Sequence, residues 1–409
     1  MLIGERNGMD VFKPYDAEVE WLESDGNGSS SDGQYINTNV LIPSDCTHVE
    51  YHFKFMFTSD HKQVFFGNQT QSHGNPRLYA FYTGSASKDR RFYAGNERPS
   101  ISLYSNTVFE GSVVVDESLN ELSVYGNGSA LLSTTLSGDA FNRDFPVFIF
   151  SGSYGNLPDD TASVRVWYFK IIHGSKVVRD FIPVRVGTEG AMYDRVSNQL
   201  FRNQGTGAFG YGDDVVPVKY LQSTGVQYID VGSIIGATSI SIKVSATEIP
   251  SSGATKFYGI GYNANFQDDF GVTEAGWGGS SSYPCTIGES ILFEANGDGL
   301  FINGTKCSGS KYFINSVSAG KKVFLFCGSN GTNAYITSSG NYMAWRGRIY
   351  SCKIMSGTSV MFDFIPVRAG SVGYMYDLVS RKQFTNGGTG SFTIGPDIKN
   401  RSNMGGGLN

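Results

Sequence analysis

The sequence predicts an all-β protein built from two tandem β-sandwich domains. Glycine accounts for 52 of 409 residues, aromatic residues for 14% of the chain and charged residues for only 17%. This composition favours many short strands joined by tight turns. The chain also repeats itself at long range, and apolar residues alternate with polar ones over strand-length segments.

The repeat is clearest towards the end of each half. Residues 180–212 align without a gap on residues 363–395, with 20 of 33 positions identical. Both blocks begin with the segment DFIPVR, and shorter upstream matches follow the same order in the two halves. A solenoid repeat spans about 20 to 50 residues, so a period of about 190 indicates a duplicated whole domain.

The duplication predicts five segments. They are an N-terminal docking arm at 1–18, a first domain at 19–212, a linker at 213–217, a second domain at 218–395 and a glycine-rich tail at 396–409. Each domain is long enough to bury its own core. The two terminal segments lie outside the repeats, and composition leaves open whether they are docking arms or disordered ends.

Period-two alternation identifies the strands. In the segment THVEYHFKF, Val49, Tyr51, Phe53 and Phe55 alternate with polar residues, as in a strand with one buried face. The second copy has the same pattern at 240–244. Two antiparallel sheets packed face to face are the most economical arrangement for about 180 residues of this kind.

Turn residues and prolines add local detail. The Asn-Gly pairs at 127–128 and 303–304 occupy equivalent places, and Asn-Gly readily adopts the positive φ values of a type I′ hairpin. Pro183 and Pro366 lie within the two DFIPVR segments. Because proline has no amide donor, we expect these segments at a strand end or a sheet edge.

Charge and cysteine content narrow the range of partners. The net charge is −5 and the chain has no Lys/Arg-rich run, so neither nucleic acid nor a membrane surface is an expected partner. The N-terminus has charged residues where a signal peptide needs an apolar run, so we expect a soluble protein made in the cytoplasm. Five cysteines without CxxC spacing indicate thiols and no disulfide framework or zinc site.

The order of these segments resembles a known family. The second copy contains, in order, YLQSTGVQYIDVG, INGT, RIYSCKI and DFIPVRAGSVGYMYDLVSRKQFTNGGTGSF. This layout is similar to the concanavalin A-like, laminin-G-like lectin/glucanase domains of phage and gut-bacterial proteins, over nearly all of both repeats. The resemblance implies a jelly-roll β-sandwich in each domain and a binding or structural role, without identifying a ligand.

Glycosidase chemistry is one candidate function. Glu18, Glu20 and Glu23 in EVEWLE resemble the carboxylates of jelly-roll glucanases, since retaining glycosidases need a pair about 5 Å apart. The second copy replaces them with Pro217, Lys219 and Gln222. A solvated acidic edge strand is therefore the preferred interpretation, and we expect no enzymatic activity.

Metal binding is the next candidate. His48, Glu50 and His52 share one face of a predicted strand and have ligating side chains. Sequence alignment places Ser241, Lys243 and Ser245 opposite them, and a polar outward face also explains the pattern. For calcium, the nearest acidic clusters are the pairs at 159–160 and 268–269, which lack EF-hand spacing and are interpreted as ordinary loops. No metal or cofactor is predicted.

The predicted binding surface lies in the second domain, between residues 261 and 284. There the rings of Tyr262, Phe266, Trp277 and Tyr283 alternate with Gly, Ser and Asn, which combines rigid aromatic contacts with adaptable polar ones. Trp277 is the preferred contact because glycines flank it. The alternative is that these rings cap the sandwich.

Residues common to both copies are predicted to maintain the fold. They are Asp180, Arg185 and Asp194 in the first copy and Asp363, Arg368 and Asp377 in the second. We expect the Asp and Arg of each DFIPVR segment to form a partly buried ion pair. Any ligand should bind where the copies differ.

The expected function combines the resemblance with the apparent lack of a signal peptide. We expect a bacteriophage virion structural protein, assembled as a homo-oligomer, that displays two lectin-like domains on the capsid or tail. Its expected partners are other virion subunits, through the terminal arms, and a host cell-surface glycan. A bacterial surface adhesin or carbohydrate-binding protein is the alternative, and a glycoside hydrolase is the third hypothesis.

Overall fold

The computed structural model forms two compact units, residues 1–214 (unit 1) and 215–409 (unit 2). It describes residues 3–6, 9–26, 33–60, 63–69, 77–83, 89–95, 97, 99–126, 129–136, 141–249, 254–263, 266–273, 276–277, 284–307, 322–329, 333–335, 345–380 and 382–398. Within these ranges the chain has no helix, and so none with the length and apolar character needed to cross a membrane.

Unit 1 is built from β-strands, nearly all of them antiparallel. They are β1 (Ile3–Arg6), β2 (Met9–Phe12), β3 (Ala17–Glu18), β4 (Leu22–Asp25), β5 (Ile36–Asn37), β6 (His48–Phe57), β7 (Phe66–Gln69), β8 (Arg77–Thr83), β9 (Asp89–Ala94), β10 (Ser100–Ser102), β11 (Phe109–Asp116), β12 (Glu121–Gly126), β13 (Ser129–Thr135), β14 (Phe148–Ile149), β15 (Gly152–Tyr154), β16 (Leu157–Asp159), β17 (Ser163–His173), β18 (Lys176–Val186), β19 (Glu189–Asp194), β20 (Gln199–Phe201) and β21 (Gly210–Tyr211).

Two sheets of unit 1 form its sandwich. The large sheet has the order β13-β12-β11-β6-β17-β18-β19-β20, with β3 beside β18 and β4 between β17 and β21. The smaller sheet has the order β10-β9-β8-β7-β14-β5, with β15 parallel to β7 and β16 antiparallel to β15. Strands β1 and β2 pair with each other and, among the described residues, with no third strand.

Unit 2 repeats this plan. Its strands are β22 (Val215–Pro217), β23 (Leu221–Thr224), β24 (Ile229–Ser233), β25 (Ser239–Ala246), β26 (Ala254–Asn263), β27 (Phe266–Thr273), β28 (Gly276–Trp277), β29 (Ser290–Asn296), β30 (Gly299–Ile302), β31 (Thr305–Lys306), β32 (Lys322–Leu325), β33 (Gly328–Ser329), β34 (Ala334–Tyr335), β35 (Arg346–Ser356), β36 (Ser359–Ala369), β37 (Val372–Asp377), β38 (Gln383–Phe384) and β39 (Thr393–Ile394).

The sheet orders of unit 2 correspond to those of unit 1. The large sheet has the order β31-β30-β29-β25-β35-β36-β37-β38, with β22 beside β36 and β23 between β35 and β39. The smaller sheet has the order β24-β32-β26-β27-β28, and β33 pairs with β34. The all-β prediction with two tandem sandwiches is therefore confirmed.

Aromatic side chains fill the space between the sheets of unit 1. The alternating residues of β6 point inward as predicted, and Val49, Tyr51, Phe53 and Phe55 are fully buried. The ring of Phe55 lies 4.4 Å from that of Phe65, which adjoins β7 in the opposite sheet. Fully burying one such side chain stabilises the fold by about 1.5 to 3 kcal/mol.

The core of unit 2 uses fewer phenylalanines on the equivalent strand, where Ile240, Ile242 and Val244 of β25 point inward. Phe257 of the smaller sheet packs 5.3 Å from Phe293 and 5.6 Å from Trp345. Both cores thus join their two sheets through ring contacts.

Turn chemistry agrees with the sequence at one of the two Asn-Gly pairs. Asn303 and Gly304 connect β30 to β31 and have φ values of +50° and +77°, as a type I′ turn requires. The pair at 127–128 lies outside the described residues, although β12 and β13 on either side of it are paired antiparallel.

The predicted position of the two prolines is wrong. Pro183 lies in the middle of β18 and Pro366 in the middle of β36, and both strands have neighbours on each side. On one side of β18, however, the neighbour changes from β17, which ends opposite Phe181, to β3, which starts opposite Val184. The carbonyl of Pro183 faces this side and accepts the amide of Val19. Proline lacks an amide N–H, and at Pro183 this N–H would lie between the ends of β17 and β3, where no inter-strand hydrogen bond requires it.

The segments predicted as arm and linker contain equivalent strands. β3 pairs with β18 at Val184, and β22 pairs with β36 at Val367, which is the corresponding residue of the second copy. The boundary between the two compact units falls between Asp214 and Val215.

One strained residue occurs in both units. Phe150 and Phe326 are equivalent, both are fully buried, and their φ values are +68° and +67°. A bulky residue with this φ is rare and carries strain of about 1 to 3 kcal/mol. Each ring packs 4.7 Å from a second phenylalanine, Phe209 or Phe392. The amide and carbonyl of each strained residue are also hydrogen-bonded to neighbouring segments.

Candidate functional site

The outward face of each large sheet carries a group of aromatic and charged side chains. In unit 1, β4 pairs with β17 so that Glu23 lies opposite Arg165. In unit 2, β23 pairs with β35 so that Gln222 lies opposite Arg348. The unit 1 patch comprises Glu20, Trp21, Glu23, Lys54, Arg165 and Trp167. The unit 2 patch comprises Lys219, Tyr220, Gln222, Lys243, Arg348 and Tyr350.

Opposite charges hold the unit 1 patch together. The guanidinium of Arg165 lies 4.3 Å from the ring centre of Trp21, and its Nε donates to Glu23 Oε2 at 2.6 Å. The ammonium of Lys54 lies 5.5 Å from the ring centre of Trp167. Cation–π contacts of this kind contribute about 0.5 to 1 kcal/mol at exposed sites.

Glu20 is the half-buried carboxylate of the unit 1 patch. Burial raises the pKa of the Glu20 carboxyl, although a hydrogen bond with the Trp167 side chain and the charges of Lys54 and Arg165 act in the opposite direction. With Glu20 and Glu23 ionised, two cations and two carboxylates face each other, so the patch has no net charge.

The unit 2 patch also contains an arginine, Arg348, but the residues around it differ from those of unit 1. The guanidinium of Arg348 lies 4.5 Å from the ring centre of Tyr220, and its Nε donates to Gln222 Oε1 at 2.9 Å. Tyr350 packs edge-on against Tyr220 at 5.6 Å, and its hydroxyl lies 3.1 Å from the Ser245 hydroxyl.

Charge distinguishes the two patches. Lys219 takes the place of Glu20, Gln222 that of Glu23, and Lys243 that of Lys54. The unit 2 patch therefore contains three cations and no carboxylate. Among the described residues, Arg348 has no carboxylate partner.

A second polar group on the outward face of unit 1 is a histidine–carboxylate network. His48 Nδ1 lies 2.9 Å from Asp116, and its Nε2 lies 2.9 Å from Glu50. The other oxygen of Glu50 lies 2.6 Å from His52 Nε2. The three residues His48, Glu50 and His52 thus share one face, as the alternation predicts.

These contacts shift the ionisation of the network. Hydrogen bonds with Glu50 and Asp116 raise the pKa of His48. Burial by itself would raise the pKa of Glu50, but the hydrogen bonds with His48 and His52 outweigh it and lower that pKa. Hydrogen bonds, first that of the Ser118 side chain and then that of His48, lower the pKa of Asp116 to about 2.

The network consists of mutual hydrogen bonds and shows no metal-binding geometry. In the described part of the chain, no three His, Cys, Asp or Glu side chains are placed to hold a metal ion. The sequence alignment of this strand also needs a correction. The pairing of β6 with β17 and of β25 with β35 makes Ser239 the counterpart of Glu50, and Ser241 that of His52. The register thus differs by four residues from the alignment that placed Lys243 opposite Glu50.

The three glutamates of the glucanase hypothesis have separate partners. Glu18 accepts hydrogen bonds from Lys13 and Tyr15 at 3.0 Å each, Glu23 is paired with Arg165, and Glu20 is half-buried. A retaining glycosidase needs two carboxylates flanking one bond, one of them available as nucleophile. An ion-paired Glu23 does not suit that role.

The ion pair predicted within each DFIPVR segment is wrong. Residues five apart in a strand lie on opposite faces, so Asp180 and Arg185 cannot meet. Asp180 pairs with Arg195 at 2.5 Å, and Arg185 pairs with Asp214 at 2.7 Å.

The arginine pairs are equivalent in the two units. Arg368 bonds Asp397 with two nitrogens, at 2.7 and 2.8 Å, as Arg185 bonds Asp214. Asp363 instead lies 3.2 Å from Lys353. Each arginine thus ties its DFIPVR strand to the segment that leaves the domain.

Asp194 and Asp377 are fully buried and accept matching backbone hydrogen bonds, and Asp194 also accepts from the Ser197 hydroxyl and lies 3.7 Å from Arg179. Each carboxylate accepts three backbone amides: that of the aspartate that opens DFIPVR, and those of the second and third residues after itself. The distances are 2.8, 3.2 and 3.1 Å in unit 1 and 2.7, 3.2 and 2.8 Å in unit 2. These bonds support a structural role.

The aromatic segment predicted to bind a ligand lies on strands of the smaller sheet of unit 2. Tyr262 is in β26, Phe266 begins β27 and Trp277 ends β28, but their side chains lie outside the described part. Tyr283 lies outside the described residues altogether.

The acidic pairs interpreted as loops are placed differently. Asp268 and Asp269 lie within β27, so the loop interpretation is wrong for them. Asp159 ends β16, and Asp160 follows it in a left-handed conformation.

Sequence reasoning missed both patches, although the sequence contains a signal for them. The segments RVW at 165–167 and RIY at 348–350 each place an aromatic residue two positions after arginine. The segments WLE at 21–23 and YLQ at 220–222 each place a polar residue two positions after an aromatic.

The fold and the patches define a tandem β-sandwich protein with one patch of aromatic and charged side chains on each domain. No family model and no curated protein matches the chain. It is similar to domains LG4-5 of the mouse laminin α1 chain, with 10% identity, a TM-score of 0.29, and coverage of 96% of this chain and 97% of that chain.

Two further solved structures show a similar level of likeness. The NanB sialidase from Streptococcus pneumoniae has 10% identity and a TM-score of 0.29, covering 92% of this chain and 74% of that chain. The botulinum neurotoxin serotype D binding domain has 10% identity and a TM-score of 0.27, covering 95% and 96%. Likeness this distant carries no information about function.

Proposed function

We propose that the chain is a non-enzymatic binding protein that displays two different surfaces on one duplicated β-sandwich. The observation that supports this most is the pair of outward patches. They occupy equivalent places on the large sheets, and each has an arginine stacked on an aromatic ring, but their charges differ. Aromatic rings beside oriented polar groups suit the apolar faces and hydroxyl groups of sugars, so the ligand class we propose is a glycan.

The setting we propose is a bacteriophage virion, with the protein attached to the capsid or tail as a homo-oligomer. The sequence resemblance to domains of phage proteins supports this setting. The β1–β2 hairpin supports an attachment role, because a lone two-stranded hairpin is marginally stable in water and gains stability by docking. The docking partner in this proposal is another virion subunit.

Mass spectrometry of purified particles tests the setting. We expect the chain at a fixed copy number per particle, and we expect a variant lacking residues 1–12 to be lost from particles while its two sandwiches still fold. Absence of the full-length chain from particles would refute the virion proposal. Its recovery from a bacterial surface would instead favour an adhesin.

The glycan role is tested separately, with the full-length protein on an array of bacterial and host glycans. We expect binding without release of reducing sugar. Trp277→Ala should weaken binding if the smaller sheet of unit 2 contributes a contact, and Tyr104→Ala, at an exposed ring of unit 1, serves as the matched control. Cleavage of any glycan that Glu20→Gln abolishes would contradict the non-enzymatic role.

A further inference from the structure

The unit 2 patch contains an arginine that is oriented but not neutralised. Tyr220 supports one face of the guanidinium of Arg348, and Gln222 accepts from its Nε. An arginine side chain has five N–H donors, and these contacts use one. Among the described residues, no acceptor bonds the two terminal nitrogens, so their four donors are available to a ligand.

The equivalent arginine of unit 1, Arg165, has a carboxylate partner that Arg348 lacks among the residues the structure describes. The carboxylate of Glu23 neutralises Arg165 at 2.6 Å. Glu23 corresponds to Gln222, whose amide oxygen fixes the orientation of Arg348 without cancelling its charge. The two sites therefore share geometry and differ by one carboxylate at the guanidinium.

The residues around Arg348 add to the positive charge. Lys219 and Lys243 are exposed, and neither has an ion-pair partner among the described residues. Two carboxylates on adjoining segments are paired with other cations, Glu248 with Arg346 and Asp397 with Arg368. The unit 2 patch is therefore positively charged, although the net charge of the whole chain is −5.

We propose that the unit 2 patch binds a polysaccharide with anionic groups, carboxylates or sulfates, and that Arg348 contacts the anionic group. A planar guanidinium with both terminal nitrogens available matches the two oxygens of such a group. The partly buried ring of Tyr350 lies beside it and presents an apolar edge to a sugar. This inference rests on the proposed glycan-binding function and specifies its ligand class.

Binding of the full-length protein to four polymers tests the inference by calorimetry. The probes are polygalacturonate, dextran sulfate, neutral dextran and polyglutamate. We expect binding to at least one anionic polysaccharide, with affinity falling as salt rises because exposed charges are screened. Polygalacturonate and dextran sulfate distinguish carboxylate from sulfate recognition.

Four matched variants locate the site. Arg348→Gln and Gln222→Glu should each weaken binding at least about tenfold, the second by supplying the internal carboxylate that unit 1 has. Arg202→Gln, at an exposed ion pair of unit 1 outside both patches, should leave binding unchanged. Glu23→Gln, which frees Arg165, should add a second, weaker anion-binding site. Unaltered thermal unfolding of each variant separates loss of binding from loss of fold.

Three outcomes would overturn the inference. They are equal binding of neutral dextran, equal binding of polyglutamate, and unchanged affinity in Arg348→Gln. If Arg348→Gln has no effect but neutral glycans bind, the glycan role stands and the anionic ligand class fails. If no glycan of either kind binds, both the glycan-binding function and the anionic ligand class are refuted. The virion proposal is tested separately, by mass spectrometry of particles.

Discussion

Unit 1 and unit 2 agree in the buried polar side chains that bond their backbones and differ on their outward faces. Gln34 and Gln227 each accept a backbone amide and donate to a backbone carbonyl of the C-terminal segment of their own unit. Asn203 and Asn386 bond equivalent backbone groups. These side chains act on the backbone, which the two copies share.

The outward faces have diverged in charge. All five histidines of the chain lie in unit 1, and the carboxylates of the unit 1 patch are replaced in unit 2. Residues that are identical in the two copies are therefore those that the shared backbone requires. Residues that differ are those through which each unit can bind its own ligand. Four predictions test this division.

The largest effect should follow truncation of a core ring. Phe53 packs within 6.3 Å of four or more other rings, and Phe53→Ala should destabilise unit 1 by about 3 to 5 kcal/mol. Its counterpart change, Ile242→Val, should cost unit 2 about 0.5 to 1.5 kcal/mol. Chemical denaturation followed by fluorescence measures both. A loss below about 1 kcal/mol in Phe53→Ala would break the core assignment.

Removal of a buried carboxylate should come next. Asp194→Ala and Asp377→Ala each leave three backbone amides without their acceptor, so each should cost its own unit about 2 to 4 kcal/mol. Glu189→Ala, at an exposed ion pair with Arg202, is the control and should cost about 1 kcal/mol or less. The loss should be at least as large for Asp194, which also accepts from the Ser197 hydroxyl. A loss in either variant no larger than that of the control would show that these amide bonds do not stabilise the fold.

The arginine pairs should matter less. Arg185→Ala and Arg368→Ala break bonds that are partly exposed, so each should cost about 1 kcal/mol or less. Ligand affinity per folded molecule should not change. A selective loss of affinity in Arg368→Ala, with an unchanged melting temperature, would instead show that Arg368 takes part in ligand binding.

The smallest effect should appear in the pH dependence of unit 1. The raised pKa of His48 gives stability that is fully present below its ordinary value of 6.5 and is lost as pH rises through the folded pKa. The lowered pKa values of Glu50 and Asp116 give stability that is present above 4.5 and 3.8 and is lost as pH falls. The network should therefore stabilise unit 1 most between these limits.

Thermal unfolding between pH 5 and pH 8 measures this effect. The transition of unit 1 should move to lower temperature above pH 6.5, and His48→Gln should reduce the shift. Unit 2 has no histidine, so its transition is the internal control. An equal shift in both transitions would exclude the network as the cause.

The sequence predicted those features that depend on local pattern. Alternation around Tyr51 gave the buried face of β6, and the repeat gave two domains of one fold. It failed where distant strands decide the outcome. The position of Pro183 depends on a change of neighbour from β17 to β3, and the partners of Asp180 and Arg185 lie on other segments.

The patches were hidden for the same reason. Trp21 and Arg165 are far apart in sequence and meet only because β4 pairs with β17. The four-residue error between β6 and β25 arose because apolar alternation looks the same after any even shift. The bulge in each of β17 and β35 fixes the register, and a bulge leaves no mark in an alternation pattern.

The strained phenylalanines have a consequence for protein design. At Phe150 and Phe326, glycine would relieve the backbone but lose the ring contact with Phe209 or Phe392, and other L-residues would keep the strain. A single substitution at either position therefore either loses the ring contact or keeps the backbone strain. A designer who wants new surfaces on this scaffold should hold these two residues fixed and vary the outward faces of the large sheets.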